Sequence, residues 1–238
     1  MTSTLSKLND MLNSGNFVKA EMLLYGLLKN NPRDYQLLKF LGISLLAQKK
    51  YKGAIESFEQ CHQQDKKDFD VTLNLSFISI KLQDHENCIL YANKTIALNP
   101  SIAGAYQNLG QCKLELLDFE GAKKDTAKAI ELMGGVLSDK FLNYSDLINL
   151  YADILLAKKD HDEFVNFACK ILDTGKFYGD LFSKLQKHNK KRIKAQYVDA
   201  VKASTVMLES YQSNLEMRAN VAIAHNCLAE HYQSTDKN

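Results

Sequence analysis

A repeat with a constant period constrains the fold of this chain more than any other feature of its sequence. An aromatic or imidazole side chain returns at equal intervals, at Phe17, Tyr51, His85 and Phe119. A small residue follows three positions later each time, at Ala20, Ala54, Cys88 and Ala122. Repetition at a fixed period of about 20–50 residues is typical of solenoids, in which each unit buries its apolar side chains against the next. The sequence therefore predicts a stack of similar units.

Each unit contains two segments whose apolar residues recur at helical spacing, which predicts a pair of helices. The first segments include LLKFLGISLLAQ, TLNLSFISIKLQ and AYQNLGQCKLEL, and the second include AIESFEQC, CILYANKTIAL and AKKDTAKAIEL. Small residues stand at matching places in the first segments, at Gly42, Ser76 and Gly110. Glycine inside a helix costs about 1 kcal/mol relative to alanine. We therefore expect the backbone of a neighbouring helix to come close at these places.

These units resemble the tetratricopeptide repeat (TPR). The fullest match is AYQNLGQCKLELLDFEGAKKDTAKAIEL, through Tyr106, Leu109, Gly110, Phe119, Ala122 and Ala129. The chain is similar to the TPR region that occurs alone or in front of bacterial glycosyl- or sulfotransferase domains. The resemblance implies an all-α fold, a right-handed α-solenoid of stacked antiparallel helix pairs that forms a TPR-like superhelix.

The repeat pattern divides the chain into segments of different regularity. Four TPR-like repeats are predicted at residues 1–34, 35–68, 69–102 and 103–134. Residues 135–144 are predicted to be an interrupting loop, because Gly134 and Gly135 mark a turn. Residues 145–175 are predicted to form a degenerate fifth repeat. Residues 176–238 are interpreted as an irregular helical segment, which is either a capping helix or the start of a further repeat.

Composition and motifs argue against several classes of function. The net charge of +2 gives no overall field that would favour nucleic acid or a membrane surface. The five cysteines include no CxxC pair, and the sequence has no HExxH, GxSxG or glycine-rich phosphate motif. We therefore expect no enzyme activity, no cofactor and no metal site. Widely spaced thiols without a signal peptide predict a cytoplasmic protein.

Two segments near the end of the sequence carry groups that often bind ligands. The segment KLQKHNKKRIK, from Lys184 to Lys194, has six positive charges and no acid. It suits phosphate or an acidic partner, but it lacks aromatic residues for base stacking, so a solvated surface is the favoured interpretation. In HNCLAEH, helical geometry separates His225, Cys227 and His231 around the axis, which disfavours a metal site.

The TPR resemblance also implies a concave groove lined by the first helix of each repeat. The predicted groove residues are Lys39, Phe40, Ile43, Asn74, Phe77, Gln107, Asn108 and Gln111. We expect Phe40, Ile43 and Phe77 to act as apolar anchors for a ligand. We expect Asn74 and Asn108 to pair with a passing peptide backbone, since an amide carries a donor and an acceptor. The alternative is that the apolar side chains pack between adjacent repeats.

The predicted function is a protein–protein interaction scaffold that binds an extended peptide or a partner helix in this groove. The alternative prediction is a substrate-recruiting region of a larger glycosyl- or sulfotransferase, whose catalytic domain would lie beyond residue 238. Self-association through the exposed end of the stack is a third prediction. The sequence does not name the partner, because one repeat scaffold serves many ligands.

Overall fold

The computed structural model describes residues 2–172 together with residues 174, 181 and 184. Every regular element within residues 2–172 is a helix. The first seven are α1 (Thr2–Asn13), α2 (Phe17–Leu28), α3 (Tyr35–Ala47), α4 (Tyr51–Gln64), α5 (Phe69–Lys81), α6 (His85–Leu98) and α7 (Ala103–Glu115). The next four are α8 (Phe119–Leu132), α9 (Asp139–Leu142), α10 (Ser145–Ala157) and α11 (His161–Leu172). The chain divides into two compact units, Met1–Leu117 and Asp118–Asn238.

In the first unit, consecutive helices pack against each other from α1 to α7, and α5 also packs against α7. Short turns join the helices, so each one runs antiparallel to the next. Their buried faces meet in a core that includes Leu24, Leu45, Phe58 and Leu75. The predicted α-solenoid of stacked helix pairs is confirmed.

Aspartate side chains cap the helices α3, α5, α6 and α8. The carboxylate of Asp34 accepts a hydrogen bond from the backbone N–H of Leu37 at 3.0 Å. Asp68, at the matching place of the next repeat, caps α5 in the same way. Asp84 and Asp118 cap α6 and α8. A side-chain acceptor at this position satisfies backbone donors that lack a partner within the helix.

The turn inside each helix pair repeats an uncommon backbone conformation. A left-handed residue stands at the same place in four successive repeats, at Gly15 (φ 74°), Lys49 (φ 60°), Gln83 (φ 59°) and Leu117 (φ 62°). After Lys49, the Lys50 N–H donates to the Leu45 carbonyl at 2.9 Å, which closes the end of α3. In the second unit Lys159 has the same conformation (φ 61°), further along the sequence than the period requires. The helix pair α10–α11 therefore has the same turn as the earlier pairs, at a place later in the sequence than the repeat period predicts.

A close approach is present at Gly42, and the nearest atoms belong to a side chain of the next helix. A Cβ atom on Gly42 would lie 2.8 Å from two ring carbons of Phe58, which belongs to α4. Phe58 is fully buried. The ring thus occupies the space in which a larger residue would place its side chain.

In the second unit, α10 packs against α8, α9 and α11. The predicted loop at residues 135–144 contains the short helix α9, which the sequence analysis did not predict. The Ser138 hydroxyl caps this helix by accepting from the Phe141 N–H at 3.2 Å. Phe141 and Leu142 are buried, so apolar burial gives this segment a helical turn. None of the helices among the described residues has the length and apolar character of a membrane span.

Candidate binding groove

The first helices of the repeats share one partly exposed side, which we call the first-helix face. It is formed by the residues of α3, α5 and α7 that do not enter the core. The eight predicted groove residues all belong to these three helices and to the same repeat positions. Seven of them are partly or fully exposed: Lys39, Phe40, Ile43, Asn74, Phe77, Gln107 and Gln111. The eighth, Asn108, is buried.

The three predicted apolar anchors differ in exposure. Phe40 and Ile43 are partly buried and pack against the core of the first unit. The alternative interpretation, packing between repeats, therefore accounts for much of their surface. Phe77 is 37% exposed. The Lys81 ammonium lies 5.1 Å from the centroid of its ring. Phe77 is thus the aromatic side chain that this face presents to solvent.

Lys39 is held by carboxylates and is not a free cation. Its Nζ donates to Asp68 Oδ2 at 2.6 Å and to Asp70 Oδ2 at 3.3 Å. The Tyr35 hydroxyl also donates to Asp68 Oδ2, at 2.5 Å. The other oxygen of Asp68 accepts from the backbone N–H groups of Asp70 and Val71 at 2.9 and 3.2 Å. One ammonium therefore faces two carboxylates at the start of α5.

The titration of these groups reflects the same contacts. Burial alone would raise the pKa of Asp68, but hydrogen bonds from Lys39 and Tyr35 outweigh it and hold the pKa below its usual value. Burial would lower the pKa of Lys39, and its bonds to Asp68 and Asp70 instead raise it. Asp68 was missing from the predicted site. Its place just before a helical pattern, where aspartate is a preferred cap, is the signal that could have found it.

The two asparagines predicted to pair with a ligand have different surroundings. Asn108 is 7% exposed, and its Nδ2 donates to the Ser76 hydroxyl at 2.6 Å. Asn74 is partly exposed, and its Nδ2 donates to the Asp70 carbonyl in the same helix at 2.8 Å. Asn108 bonds to Ser76 of the preceding repeat. One repeat earlier, the same two positions hold Asn74 and Gly42, and glycine has no hydroxyl to offer. Asn108 therefore joins two repeats, whereas Asn74 stays on the surface.

The far side of the face, on α7, is polar. The Gln111 Nε2 donates to Glu115 Oε1 at 2.7 Å. The other carboxylate oxygen of Glu115 lies 3.6 Å from the His85 Nδ1. Gln107 is partly exposed one turn earlier. The amide side chains on α7 thus belong to the same first-helix face as the aromatic ring on α5.

The other candidate segments lie mostly outside the described residues. Of the predicted C-terminal segment 176–238 only residues 181 and 184 are described, and the HNCLAEH segment falls entirely outside the described residues. Of the basic segment, only Lys184 is described, and its Nζ lies 2.7 Å from Asp153 Oδ1 in the second unit. The role of the remaining five cations stays a prediction.

Comparison with known proteins relates the chain to several solved helical structures. No protein-family model matches the sequence, and no curated protein is similar to it. PilF from Pseudomonas aeruginosa is 16% identical with a TM-score of 0.66, covering 93% of this chain and 96% of PilF. MamA is 20% identical with a TM-score of 0.60, covering 71% of this chain and 94% of MamA. YrrB, described as a TPR protein with an unusual peptide-binding site, is 14% identical with a TM-score of 0.60, covering 76% of this chain and 90% of YrrB.

Proposed function

We propose that this chain, which has the fold of TPR proteins, is a protein-interaction scaffold that binds an extended peptide on its first-helix face. The observation that carries the proposal is the exposed ring of Phe77 on that face. Aromatic side chains provide much of the free energy of protein interfaces, since each one removes a large apolar surface from water. A solvated aromatic ring one turn from an amide group on the same helix is suited to this use.

The amides around Phe77 supply the polar half of the proposed interaction. Asn74 lies one turn before Phe77 on α5, and its donor is used within its own helix. Its carbonyl oxygen is the group proposed to accept from a peptide N–H. Gln107 on α7 carries both a donor and an acceptor. Because these groups pair with main-chain atoms, they hold an extended peptide with little dependence on its sequence.

Two predicted groove residues take other roles in this proposal. Asn108 is assigned to the contact with Ser76 and not to the ligand. Lys39 is assigned to the ion pair with Asp68. This leaves α3 without a free cation for an anionic ligand. No catalytic step is assigned to the chain. The alternative as the recruiting region of a transferase, and self-association, stay predictions.

The cytoplasm is the proposed location. Three of the described cysteines, Cys61, Cys88 and Cys112, are free and buried. Burial raises the pKa of the Cys61 thiol to about 12, so it stays protonated at neutral pH. Unpaired buried thiols are typical of proteins kept in a reducing compartment. Cell fractionation with a cytoplasmic marker tests this location, and recovery with secreted or membrane fractions would contradict it.

The binding proposal is tested by selecting a random displayed peptide library on the full chain. The selected peptide is then titrated against wild type and two variants by fluorescence anisotropy. Phe77→Ala removes the exposed ring, and we expect at least a roughly tenfold loss of affinity, or about 1.4 kcal/mol. Leu90→Ala is the matched control, because Leu90 is 46% exposed on α6, a second helix. Equal binding by all three chains would show that the ligand does not use the first-helix face.

A further inference from the structure

We infer that the peptide bound at this face carries a cationic side chain about three residues from the apolar side chain that packs on Phe77. This inference rests on the proposed function and adds the chemistry of the ligand. It follows from the charges arranged along α5 on either side of the exposed ring.

The exposed residues of α5 form a single stripe along the helix. Asp70, Asn74, Phe77 and Lys81 follow one another at spacings of four, three and four residues, so they share one side of the helix. With a rise of 1.5 Å per residue, Asp70 and Phe77 are separated by about 10.5 Å along the axis. An extended peptide covers about 3.3 Å per residue, so three residues span that distance.

At the Asp70 end of this stripe, two carboxylates share one ammonium. The three side chains of Asp68, Asp70 and Lys39 together carry a formal charge of minus one. The side chain of Asp70 is 55% exposed. Its bond to Lys39 uses Oδ2 at 3.3 Å, and Oδ1 makes no other bond among those of the described residues. A cation on the ligand can reach this oxygen without removing a group from the core.

The charge at the Lys81 end of the stripe determines in which direction the cationic and apolar side chains of the ligand lie along α5. The Lys81 ammonium lies over the Phe77 ring, at 5.1 Å from its centroid. A ligand cation placed at that end would meet a like charge, whereas at the Asp70 end it meets an opposite one. An anionic ligand at the Asp70 end would be repelled by the exposed carboxylate of Asp70, which only shares the Lys39 ammonium with Asp68. The face is therefore suited to a peptide with its cation towards the start of α5.

The experiment uses the peptides selected on the full chain and one further pair of variants. Asp70→Asn removes the charge and keeps the size of the side chain. Glu86→Gln is the control, because Glu86 is an exposed acid in the first turn of α6, a second helix. We expect the selected peptides to contain lysine or arginine three or four residues from an apolar residue. Their affinity should fall about three- to tenfold with Asp70→Asn and stay unchanged with Glu86→Gln.

The outcomes separate this inference from the function on which it rests. Peptides that depend on Phe77 but contain no cation, or that bind Asp70→Asn as tightly as wild type, would overturn the inference and leave the binding function in place. Selection of no peptide that depends on Phe77 would overturn both. A preference for acidic peptides would also contradict the inference. Thermal unfolding followed by circular dichroism confirms that each variant keeps its helical fold.

Discussion

Replacing two helix glycines by alanine should change the stability of this chain in opposite directions. In α2, a Cβ atom on Gly26 would meet nothing within 4 Å. Alanine there gains helix propensity at no steric cost, so the free energy of unfolding should rise by about 0.5–1 kcal/mol. In α3, a Cβ atom on Gly42 would lie 2.8 Å from Cε2 and Cζ of Phe58. The same substitution at that site forces an overlap with a fully buried ring.

The overlap decides the sign of the effect at Gly42. Carbon atoms in contact prefer a separation of about 3.5–4.0 Å, so the ring has to move by roughly 1 Å. Overpacking of a well-filled core costs about 1–3 kcal/mol. We expect the upper half of that range, because two ring carbons of Phe58 are affected and the ring has no exposed surface. After the propensity gain of about 1 kcal/mol, the net loss should be about 1–2 kcal/mol.

Urea unfolding followed by circular dichroism measures both changes. The double variant Gly42→Ala with Phe58→Leu is the sharper test, because leucine leaves room for the new methyl group. In that background Gly42→Ala should cost nothing or stabilise the chain slightly. If Gly42→Ala stabilises the wild-type chain as much as Gly26→Ala does, the reasoning from the position of the Phe58 ring is refuted.

Four other substitutions test features of the fold. Gly15→Ala should lower the free energy of unfolding by about 1 kcal/mol in the same urea assay, because φ at Gly15 is 74° and a Cβ is strained there; an unchanged midpoint would contradict this. Ser76→Ala should lower the free energy of unfolding by about 1–3 kcal/mol, since it leaves the buried amide of Asn108 without its hydroxyl partner. Asn74→Ala should change the free energy of unfolding by no more than about 0.5 kcal/mol. The pKa of Asp68 is lower in the folded chain than in the unfolded chain. The ionised Asp68 carboxylate therefore stabilises the fold fully above its unfolded pKa of about 4, and this stabilisation is lost as the pH falls through its pKa in the folded chain. Stability measured against pH should therefore fall less steeply below about pH 4 in Asp68→Asn than in wild type.

The binding role of the candidate site stays a prediction, and the contacts of its side chains could not be read from the sequence. The repeat places the eight predicted residues on three first helices, and the structure puts seven of them on the exposed side. The partner of each polar side chain depends on which residue of the neighbouring repeat lies opposite. Asn108 has a buried partner because residue 76 is serine, whereas the matching residue 42 is glycine. The ammonium of Lys39 is bound by Asp68. Spacing along one helix does not contain that information.

The sequence by itself determined the paired helices of the repeats and their order. Apolar spacing and the left-handed turns act within a few residues of one another, so α3, α5 and α7 begin at the same place in their repeats, at Tyr35, Phe69 and Ala103. Aspartate caps α3 and α5 but not α7. Only the tertiary structure decided that the ring of Phe58 fills the space at Gly42, that α9 forms in the interrupting segment, and which groups stay exposed on the first-helix face. These features depend on how separate helices pack against one another, which the spacing of residues along one helix does not determine.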